Sequence, residues 1–257
     1  MLSTDIAEPA GDRPPGFRAD SHDRVAAVEE RSFWFRARNR LIVDLVRRYC
    51  PDLGSMIDVG CGTGLVLQGL RAAFPDARLV GAEALSSGLA QAEKRLGATA
   101  ELVQVDAFHL PYADEFDVAG ALDVLEHIDD DNAALGAIAA TVRPGGLIML
   151  TVPQHPWLWS AADEGACHRR RYRRGELEGK AAAAGLAIVA STSFVFALLP
   201  AMALTRGIGA RQPEREHELP APLGRALEAV LDAERRLIGC GMRFPVGGTR
   251  IVVARRP

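Results

Sequence analysis

Residues 56–64 combine an acid with three glycines at a spacing suited to ligand binding. Their sequence, MIDVGCGTG, is a short apolar run that ends in Asp58 and continues through Gly60, Gly62 and Gly64. Glycines at this spacing let a strand turn sharply into a helix, and they let backbone amides approach a ligand closely. The pattern therefore predicts a nucleotide-like ligand at the carboxyl end of the first strand of an open α/β sheet.

Two common phosphate-binding motifs do not match this stretch. The dinucleotide fingerprint G-x-G-x-x-G/A needs a small third residue for helix–strand packing, and counting from Gly60 that position is Leu65. A P-loop is also excluded, because no Gly-Lys-Ser/Thr follows the glycines. A nicotinamide oxidoreductase is therefore disfavoured.

The chain instead reads D-x-G-x-G-x-G, and four further segments follow in order. A second strand ends in Glu83, a third ends in Asp106, a fourth runs into the sequence LDVLEHI, and Arg-Pro-Gly-Gly leads into a fifth. In these five motifs, which span residues 54–153, the sequence resembles the class I S-adenosylmethionine-dependent methyltransferases of the small-molecule kind (type 11/23-like). The resemblance implies methyl transfer, with S-adenosyl-L-methionine as cofactor and S-adenosylhomocysteine as product.

The resemblance also implies a set of cofactor-binding residues. An acid at Glu83 can accept hydrogen bonds from both ribose hydroxyls, and Asp106 lies where the family holds the adenine. The alternatives are that Asp58 caps a helix and that Glu83 and Asp106 are solvated acids at strand ends. The full implied set is Trp34, Arg38, Asp58, Gly60, Cys61, Gly62, Gly64, Glu83, Ala84, Asp106, Ala107, Leu122 and Asp123.

Trp34 and Arg38 belong to an aromatic and basic segment, FWFRAR, just before the core. It resembles the amino-terminal segment that some small-molecule methyltransferases fold across the cofactor. A planar guanidinium at Arg38 would suit the methionyl carboxylate. The alternative is that the aromatic residues are core and the arginines are solvated.

The candidate catalytic residues are His127, His168 and Tyr172, with His155 a weaker candidate. A base is needed only if the acceptor is an alcohol, a phenol or a protonated amine, so a mechanism without one stays open. His168 and Tyr172 lie in a basic cluster, CHRRRYRR, that resembles a His-x-Arg-Arg-Tyr element of some bacterial members. Arginines there would suit a phosphate or carboxylate on the substrate, and the alternative is a solvated helix start.

The sequence also narrows the acceptor and the metal chemistry. Three consecutive acids, residues 129–131, suit helix capping better than metal binding, and we predict no metal. Neither an Asn/Asp-Pro-Pro-Tyr loop nor a Pro-Cys dipeptide is present, which argues against methylation of adenine or of cytosine C5 in nucleic acid. We therefore expect a small-molecule acceptor rather than nucleic acid, although these absences leave ribosomal or transfer RNA open, and the sequence does not show whether oxygen, nitrogen or carbon is methylated.

The alternation of predicted strands and helices that must position these residues indicates a Rossmann-like, doubly wound α/β fold. We expect a mostly parallel seven-stranded sheet with an antiparallel last strand, amino-terminal helices and a helical insertion before that strand. Helices are predicted over residues 21–50, 64–73, 86–96, 131–142 and 223–238. The layout is a flexible tail (1–20) and one domain (21–257), made of a helical lid (21–53), a cofactor-binding core (54–153) and substrate-side insertions (154–180 and 194–246).

Composition sets the broad class. The chain has 257 residues, 48% of them hydrophobic, and a net charge of −3, which is ordinary for a soluble protein. Four cysteines without pairing or metal spacing, and an amino terminus without a signal peptide, predict a reducing, cytoplasmic setting. The apolar run 194–204 is too short to span a bilayer.

Three interpretations of the apolar run 194–204 stay open. It could be a sixth strand that leads into a buried helix, a lid facing the substrate, or an interfacial anchor that makes peripheral membrane contact. The oligomeric state, monomer or homodimer, is also open. A second functional class is a non-catalytic protein that binds S-adenosylmethionine or a partner on the same fold.

Overall fold

The computed structural model describes residues 19–207 and 220–257. Its centre is a seven-stranded sheet with the strand order β3-β2-β1-β4-β5-β7-β6. The strands are β1 (Ser55–Val59), β2 (Arg78–Glu83), β3 (Glu101–Gln104), β4 (Phe116–Leu122), β5 (Val142–Pro153), β6 (Ala187–Phe194) and β7 (Thr249–Arg255).

Helices cover both faces of this sheet. In the described part of the chain the α-helices are α1 (Ala19–Glu29), α2 (Phe33–Tyr49), α3 (Leu65–Ala73), α4 (Ser86–Leu96), α5 (Asp131–Ala140), α6 (Ala161–Gly165), α7 (Glu176–Ala183), α8 (Leu199–Gly207) and α9 (Ala221–Gly239). A short 3₁₀ turn, Leu125–His127, follows β4.

The strand directions confirm the predicted fold class. Strands β1 to β5 pair in parallel, whereas β7 lies antiparallel between β5 and β6. The chain order reverses between β1 and β4, where successive crossovers leave in opposite directions. In open α/β sheets ligands bind outside the carboxyl ends of the strands at this switch point. The fold therefore places the glycine motif, which follows β1, at the expected edge.

Two hydrophobic layers hold the sheet. Alternate residues of a strand point to opposite faces, so Met56 lies in the layer that contains buried residues of α2 and α3, whereas its neighbour Ile57 lies in the layer that contains buried residues of α5 and α7. Leu41 and Leu67 lie at the centre of the first layer, and Leu135 lies in the second. All seven residues of β4 are buried. The strand that carries the LDVLEHI motif is therefore a rigid base for the residues that follow it.

Most predicted helices are confirmed, with shifts at their ends. The predicted helix over 21–50 is two helices, because residues 30–32 between α1 and α2 are not helical. Helix α1 also begins earlier than predicted, at Ala19. The predicted helix 131–142 ends at Ala140, since β5 begins at Val142. The predicted helix 223–238 corresponds to α9.

The third strand is shorter than predicted, and the reason is local. It ends at Gln104, and the Asp106 carboxylate accepts hydrogen bonds from the backbone N–H groups of Phe108 (2.8 Å) and His109 (3.1 Å). An aspartate that binds the backbone two and three residues ahead turns the chain out of the sheet. Asp106 therefore lies in a turn just beyond the strand.

The apolar run 194–204 is only partly as predicted. The sixth strand does extend to Phe194, and α8 follows it. However, α8 is not a buried helix, because Leu204 is 64% exposed and Ala201 is also exposed. No helix in the described ranges is long and apolar enough to cross a membrane. Residues 1–18 of the predicted tail and 208–219 of the predicted insertion lie outside the described residues.

The second helix of the insertion packs on the amino-terminal region through charged pairs. Arg40 of α2 pairs with Glu228 (2.7 Å) and Asp232 (3.1 Å) of α9, and Arg36 pairs with Glu228 as well. Asp44 and Arg235 form a further pair between the same two helices. Helix α9 is thus attached to α2. A substrate-capping role for the insertion stays a prediction.

Candidate functional site

Glycine is favoured for different structural reasons at the three positions after β1. All have positive φ angles, +72° at Gly60, +52° at Gly62 and +77° at Gly64, which favours glycine at each. A Cβ at Gly60 would lie 2.5 Å from Val124, and one at Gly64 would lie 2.8 Å from Leu96. Nothing lies within 4 Å of a Cβ at Gly62. Gly60 and Gly64 therefore permit close packing, whereas Gly62 leaves room for a ligand to approach the backbone.

Glu83, at the carboxyl end of β2, is tied to this loop. Its Oε2 accepts a hydrogen bond from the Gly62 N–H (3.0 Å), and its Oε1 accepts one from the Leu85 N–H (2.9 Å) at the start of α4. The side chain is buried, so the solvated strand-end interpretation is wrong for Glu83. It holds the open glycine in place and keeps a negative charge beside it.

Asp58 is the most strongly perturbed acid next to the loop. It is only 2% exposed, and its Oδ1 has no hydrogen-bond partner within the described residues. Burial raises its pKa to about 7; the nearby Arg38 acts in the opposite direction, and Glu83 adds to the increase. A positively charged group that enters the site would therefore stabilise the ionised form of this carboxyl group.

Arg38 lies at the same edge of the sheet. Its guanidinium pairs with Asp123 (2.7 Å) and donates to Thr151 Oγ1 (3.3 Å), and it lies 5.5 Å from the centre of the Trp34 ring. The residue is buried, so the solvated interpretation is wrong for it. The structure thus brings Trp34, Arg38 and Asp123 together beside Asp58.

Sequence reasoning missed the contacts that close α1 over the loop. Glu29 of α1 accepts a hydrogen bond from Thr63 Oγ1 (2.7 Å) and pairs with Arg95 of α4 (2.5 Å), with both charged side chains largely buried. His22 lies 2.9 Å from Ser87 Oγ at the start of α4. Of these, only Thr63 lies within a motif. The sequence around the other residues does not reveal these contacts, since an exposed helix face would have the same composition.

The remaining predicted cofactor residues follow the first four strands. Asp106 and Ala107 form the turn after β3, with Phe108 43% exposed beside them. Ala84 is exposed after β2, and Leu122 is buried at the end of β4. Cys61 is buried in the loop, where burial raises the pKa of its thiol and keeps it protonated.

A second cluster lies just beyond Asp123. His168 Nδ1 is 2.9 Å from Asp163 Oδ1, and its Nε2 is 3.9 Å from Glu126 Oε1. The His127 ring lies edge-to-face against His168, with the ring centres 4.9 Å apart. The structure therefore joins two of the three predicted catalytic residues, and it adds Glu126 and Asp163 to them.

Electrostatics sharpen the roles within this cluster. Glu126 is fully buried, and burial, reinforced by Asp123, raises its pKa well above the ordinary value. Burial, together with His168, lowers the pKa of His127 to about 4, so its ring is neutral at neutral pH. Burial also acts to raise the pKa of Asp163, but bonds from His168 and Arg171 outweigh it and lower that pKa to about 2. Asp163 is therefore an anion that orients His168.

Tyr172 lies apart from these rings. It is fully buried, and its hydroxyl donates to Asp131 Oδ2 at 2.7 Å. Asp131 also pairs with Lys180 (2.8 Å), while Asp130 caps α5 by accepting from the Ala133 N–H (3.0 Å), which confirms the predicted capping. Burial and this bond raise the pKa of Tyr172 well above its usual range. The arrangement favours a structural role for this tyrosine.

Known proteins resemble the chain both in sequence and in fold. A methyltransferase-domain family model matches residues 31–191. A ubiquinone biosynthesis O-methyltransferase of Bradyrhizobium sp. (strain ORS 278) is 31% identical over 107 residues, covering 40% of this chain and 41% of the relative. An O-methyltransferase of Pyrenophora dematioidea is 30% identical over 156 residues, covering 58% and 55%. The chain thus spans only about half, or less, of the length of these relatives.

Solved structures share the fold at low sequence identity. A Thermotoga maritima S-adenosylmethionine-dependent methyltransferase superposes with a TM-score of 0.58 at 16% identity, over 93% of this chain and 95% of the other. The cyclase SpnF gives a TM-score of 0.56 at 23% identity, over 87% and 83%. The family model covers well over half of the chain, and the strand order and glycine loop agree with it. The chain belongs to the class I S-adenosylmethionine-dependent methyltransferase family.

Proposed function

We propose that the protein transfers a methyl group from S-adenosylmethionine to a hydroxyl oxygen of a small-molecule acceptor. The observation that carries the proposal is the glycine loop. A side chain at Gly62 would face open space, and the Gly62 N–H is bonded to the Glu83 carboxyl group. The choice of oxygen is supported by the names of the two curated relatives, both O-methyltransferases. The His127–His168 pair beyond Asp123 is suited to activating a hydroxyl.

The residues around the loop fit the cofactor. The backbone at Gly62 can approach it without obstruction, and Glu83 offers carboxylate oxygens for ribose hydroxyls next to that glycine. Asp106, Ala107 and the exposed ring of Phe108 would hold the adenine. At the other end Arg38 would receive the methionyl carboxylate, and the buried, partnerless oxygen of Asp58 would gain from the positive charge of the ligand. All of these residues except Phe108 belong to the set implied by the sequence motifs.

When bound, S-adenosylmethionine supplies an electrophilic methyl group on a sulfonium. The task of the protein is then to align the acceptor with that methyl group, which can provide most of the acceleration. A hydroxyl must also lose its proton, and we assign its acceptance to His168; His127, whose pKa of about 4 makes it a weak base, packs against the His168 ring. Asp163 fixes the orientation of the His168 ring, and Arg171 fixes Asp163 with a 2.7 Å bond. Helix α1 closes the cofactor side through Glu29 and Thr63.

The first test is titration calorimetry with S-adenosylhomocysteine. We expect micromolar binding to the unmodified protein and at least tenfold weaker binding to Glu83→Ala, which corresponds to about 1.4 kcal/mol. Glu93→Ala, an exposed acid on the adjacent α4, is the matched control and should bind as the unmodified protein does. Absence of binding to the unmodified protein would overturn the proposed cofactor site.

The second test follows methyl transfer from methyl-labelled S-adenosylmethionine to a panel of phenols, aliphatic alcohols and amines. Label in the hydroxylated acceptors supports the proposal, and label only in amines would overturn the choice of oxygen. Cofactor binding without transfer to any class would favour the non-catalytic alternative.

A further inference from the structure

Three potential metal ligands lie close together beyond the carboxyl end of β4. They are distinct from the three consecutive aspartates at residues 129–131. Glu126 and His127 belong to the 3₁₀ turn after that strand, and His168 reaches them from the loop that follows α6. One ligand atom from each lies within 4.8 Å of the others. We propose that Glu126, His127 and His168 bind one divalent transition-metal ion, for which Zn²⁺ has the best-matched ligand chemistry.

The donor set suits such an ion. Two imidazole nitrogens and one carboxylate oxygen are typical ligands of Zn²⁺ and of neighbouring first-row metals, and three protein ligands leave a position open. At bond lengths of about 2.1 Å, tetrahedral ligand atoms stand about 3.4 Å apart. His168 Nε2 and Glu126 Oε1 are 3.9 Å apart and all three ligand atoms lie within 4.8 Å of one another, so binding would draw the side chains together by about an ångström, within reach of small side-chain rotations.

Glu126 provides an independent indication that a cation belongs here. The side chain is fully buried, and both of its carboxyl oxygens have no hydrogen-bond partner within the described residues. A buried carboxyl group without a donor is costly, and a carboxylate is more so. A metal ion between Glu126 and the two imidazoles would satisfy this group.

The surroundings of both histidines are those that metal-binding histidines usually have. A ligating imidazole commonly gives its other ring N–H to a carboxylate or a backbone carbonyl. His168 Nδ1 is bonded to Asp163 (2.9 Å), which leaves Nε2 on the side of Glu126. His127 forms its hydrogen bond with the backbone of Cys167. Asp163 is itself fixed by Arg171 and by the Ser160 N–H (2.9 Å), so the cluster is preorganised.

The role of the ion rests on the proposed function. With the ion bound, His127 and His168 would activate the hydroxyl through the metal instead of accepting its proton themselves. The open position would take the acceptor hydroxyl and lower the pKa of that group, so that the proton leaves to water. The oxygen then forms its bond to the methyl carbon as the carbon–sulfur bond breaks, and the electron pair of that bond stays on sulfur. The side chain of His168 is 15% exposed, so the cluster is open to solvent on one side.

Metal binding is tested on the full chain, without cofactor or acceptor. Protein dialysed against a chelator is titrated with Zn²⁺, read by calorimetry, and with Co²⁺, read by its visible absorption. We expect one equivalent to bind the unmodified protein, and binding at least tenfold weaker in Glu126→Gln and His168→Asn. Glu164→Gln, an exposed acid beside Asp163 in sequence, is the matched control and should bind like the unmodified protein. No binding, or binding that these two substitutions leave intact, would overturn the site.

Two further measurements keep the outcomes distinct. Glu126→Gln removes a buried acid but keeps its shape, so it should fold, and its melting temperature and S-adenosylhomocysteine affinity verify this. Metal binding in a protein that fails the cofactor titration would uphold the site and overturn only the methyl-transfer role. Undiminished transfer by the chelator-treated, metal-free protein would overturn the role of the ion in catalysis.

Discussion

Replacing Asp58 with Asn tests the electrostatics of the glycine-loop site without any ligand. In the folded protein burial raises the pKa of this carboxyl group to about 7, against an ordinary value of 3.8. The folded state therefore keeps the proton over a pH range in which the unfolded chain has already released it. The contribution of Asp58 to stability is complete below about pH 4, falls as the pH rises, and stays low above pH 7.

The magnitude follows from the difference between the two pKa values. It is about three pKa units, and each corresponds to about 1.4 kcal/mol, so ionisation of Asp58 costs the folded state up to about 4 kcal/mol. Asparagine is nearly isosteric and does not ionise. The Asp58→Asn variant should therefore gain about 3 kcal/mol of stability relative to the unmodified protein as the pH increases from 4.5 to 8, because about 1 kcal/mol of the cost is already present at pH 4.5.

The assay is urea denaturation at several pH values, analysed as the difference between variant and unmodified protein. Most other titrations cancel in that difference. Asp76→Asn, on the exposed loop after α3, removes one carboxylate from the surface and serves as the control. A constant Asp58→Asn difference between pH 4.5 and 8, or a trend shared equally by the control, would refute the reasoning.

Three other substitutions probe the remaining structure. Tyr172→Phe removes the donor to Asp131 and should cost about 1–3 kcal/mol in urea denaturation while leaving S-adenosylhomocysteine affinity unchanged; weakened binding would contradict its structural role. Glu29→Ala removes the nearer carboxylate partner of the largely buried Arg95, which keeps Glu30 (3.4 Å) and its bonds to Thr63, and it should cost about 1–3 kcal/mol; faster amide exchange throughout α1 would report its release. Gly60→Ala puts a Cβ 2.5 Å from Val124 at a positive φ and should lower the melting temperature by several degrees, since the backbone strain alone costs about 1 kcal/mol or more; an unchanged melting curve would contradict the tight-packing argument.

The predictable part of this protein is the part in which neighbouring residues determine local structure. The strand–glycine–helix pattern at Gly60, Gly62 and Gly64 was readable because positive φ angles strongly favour glycine. The ends of β1 and β2 were readable because parallel, buried strands are continuous apolar runs. The length of β3 was not, because the turn at Asp106 depends on which backbone amides its carboxylate finds.

Contacts between distant segments lay outside sequence reasoning. Arg38 was singled out for its charge, but nothing in the segment FWFRAR shows that Asp123 and Thr151 are its neighbours. The apolar run after β6 suggested a buried helix, yet α8 is partly exposed, because its surroundings rather than its composition set its burial. Likewise, the alternation of charges in α9 is compatible with a solvated face, whereas in the fold those charges pair with α2.

The sequence by itself determined the family, the succession of strands and helices along the chain and the motifs that predict a cofactor site, because each motif is a local segment whose residue types favour its own backbone conformation. Only the tertiary structure decided which polar groups share a site. It joined Glu29 to Thr63, 34 positions apart, and it placed His168 against Glu126 and His127. Such pairings depend on how the helices and loops pack over the carboxyl edge of the sheet. Burial then fixes the charge states of Asp58, Glu126 and His127, and no local pattern records it.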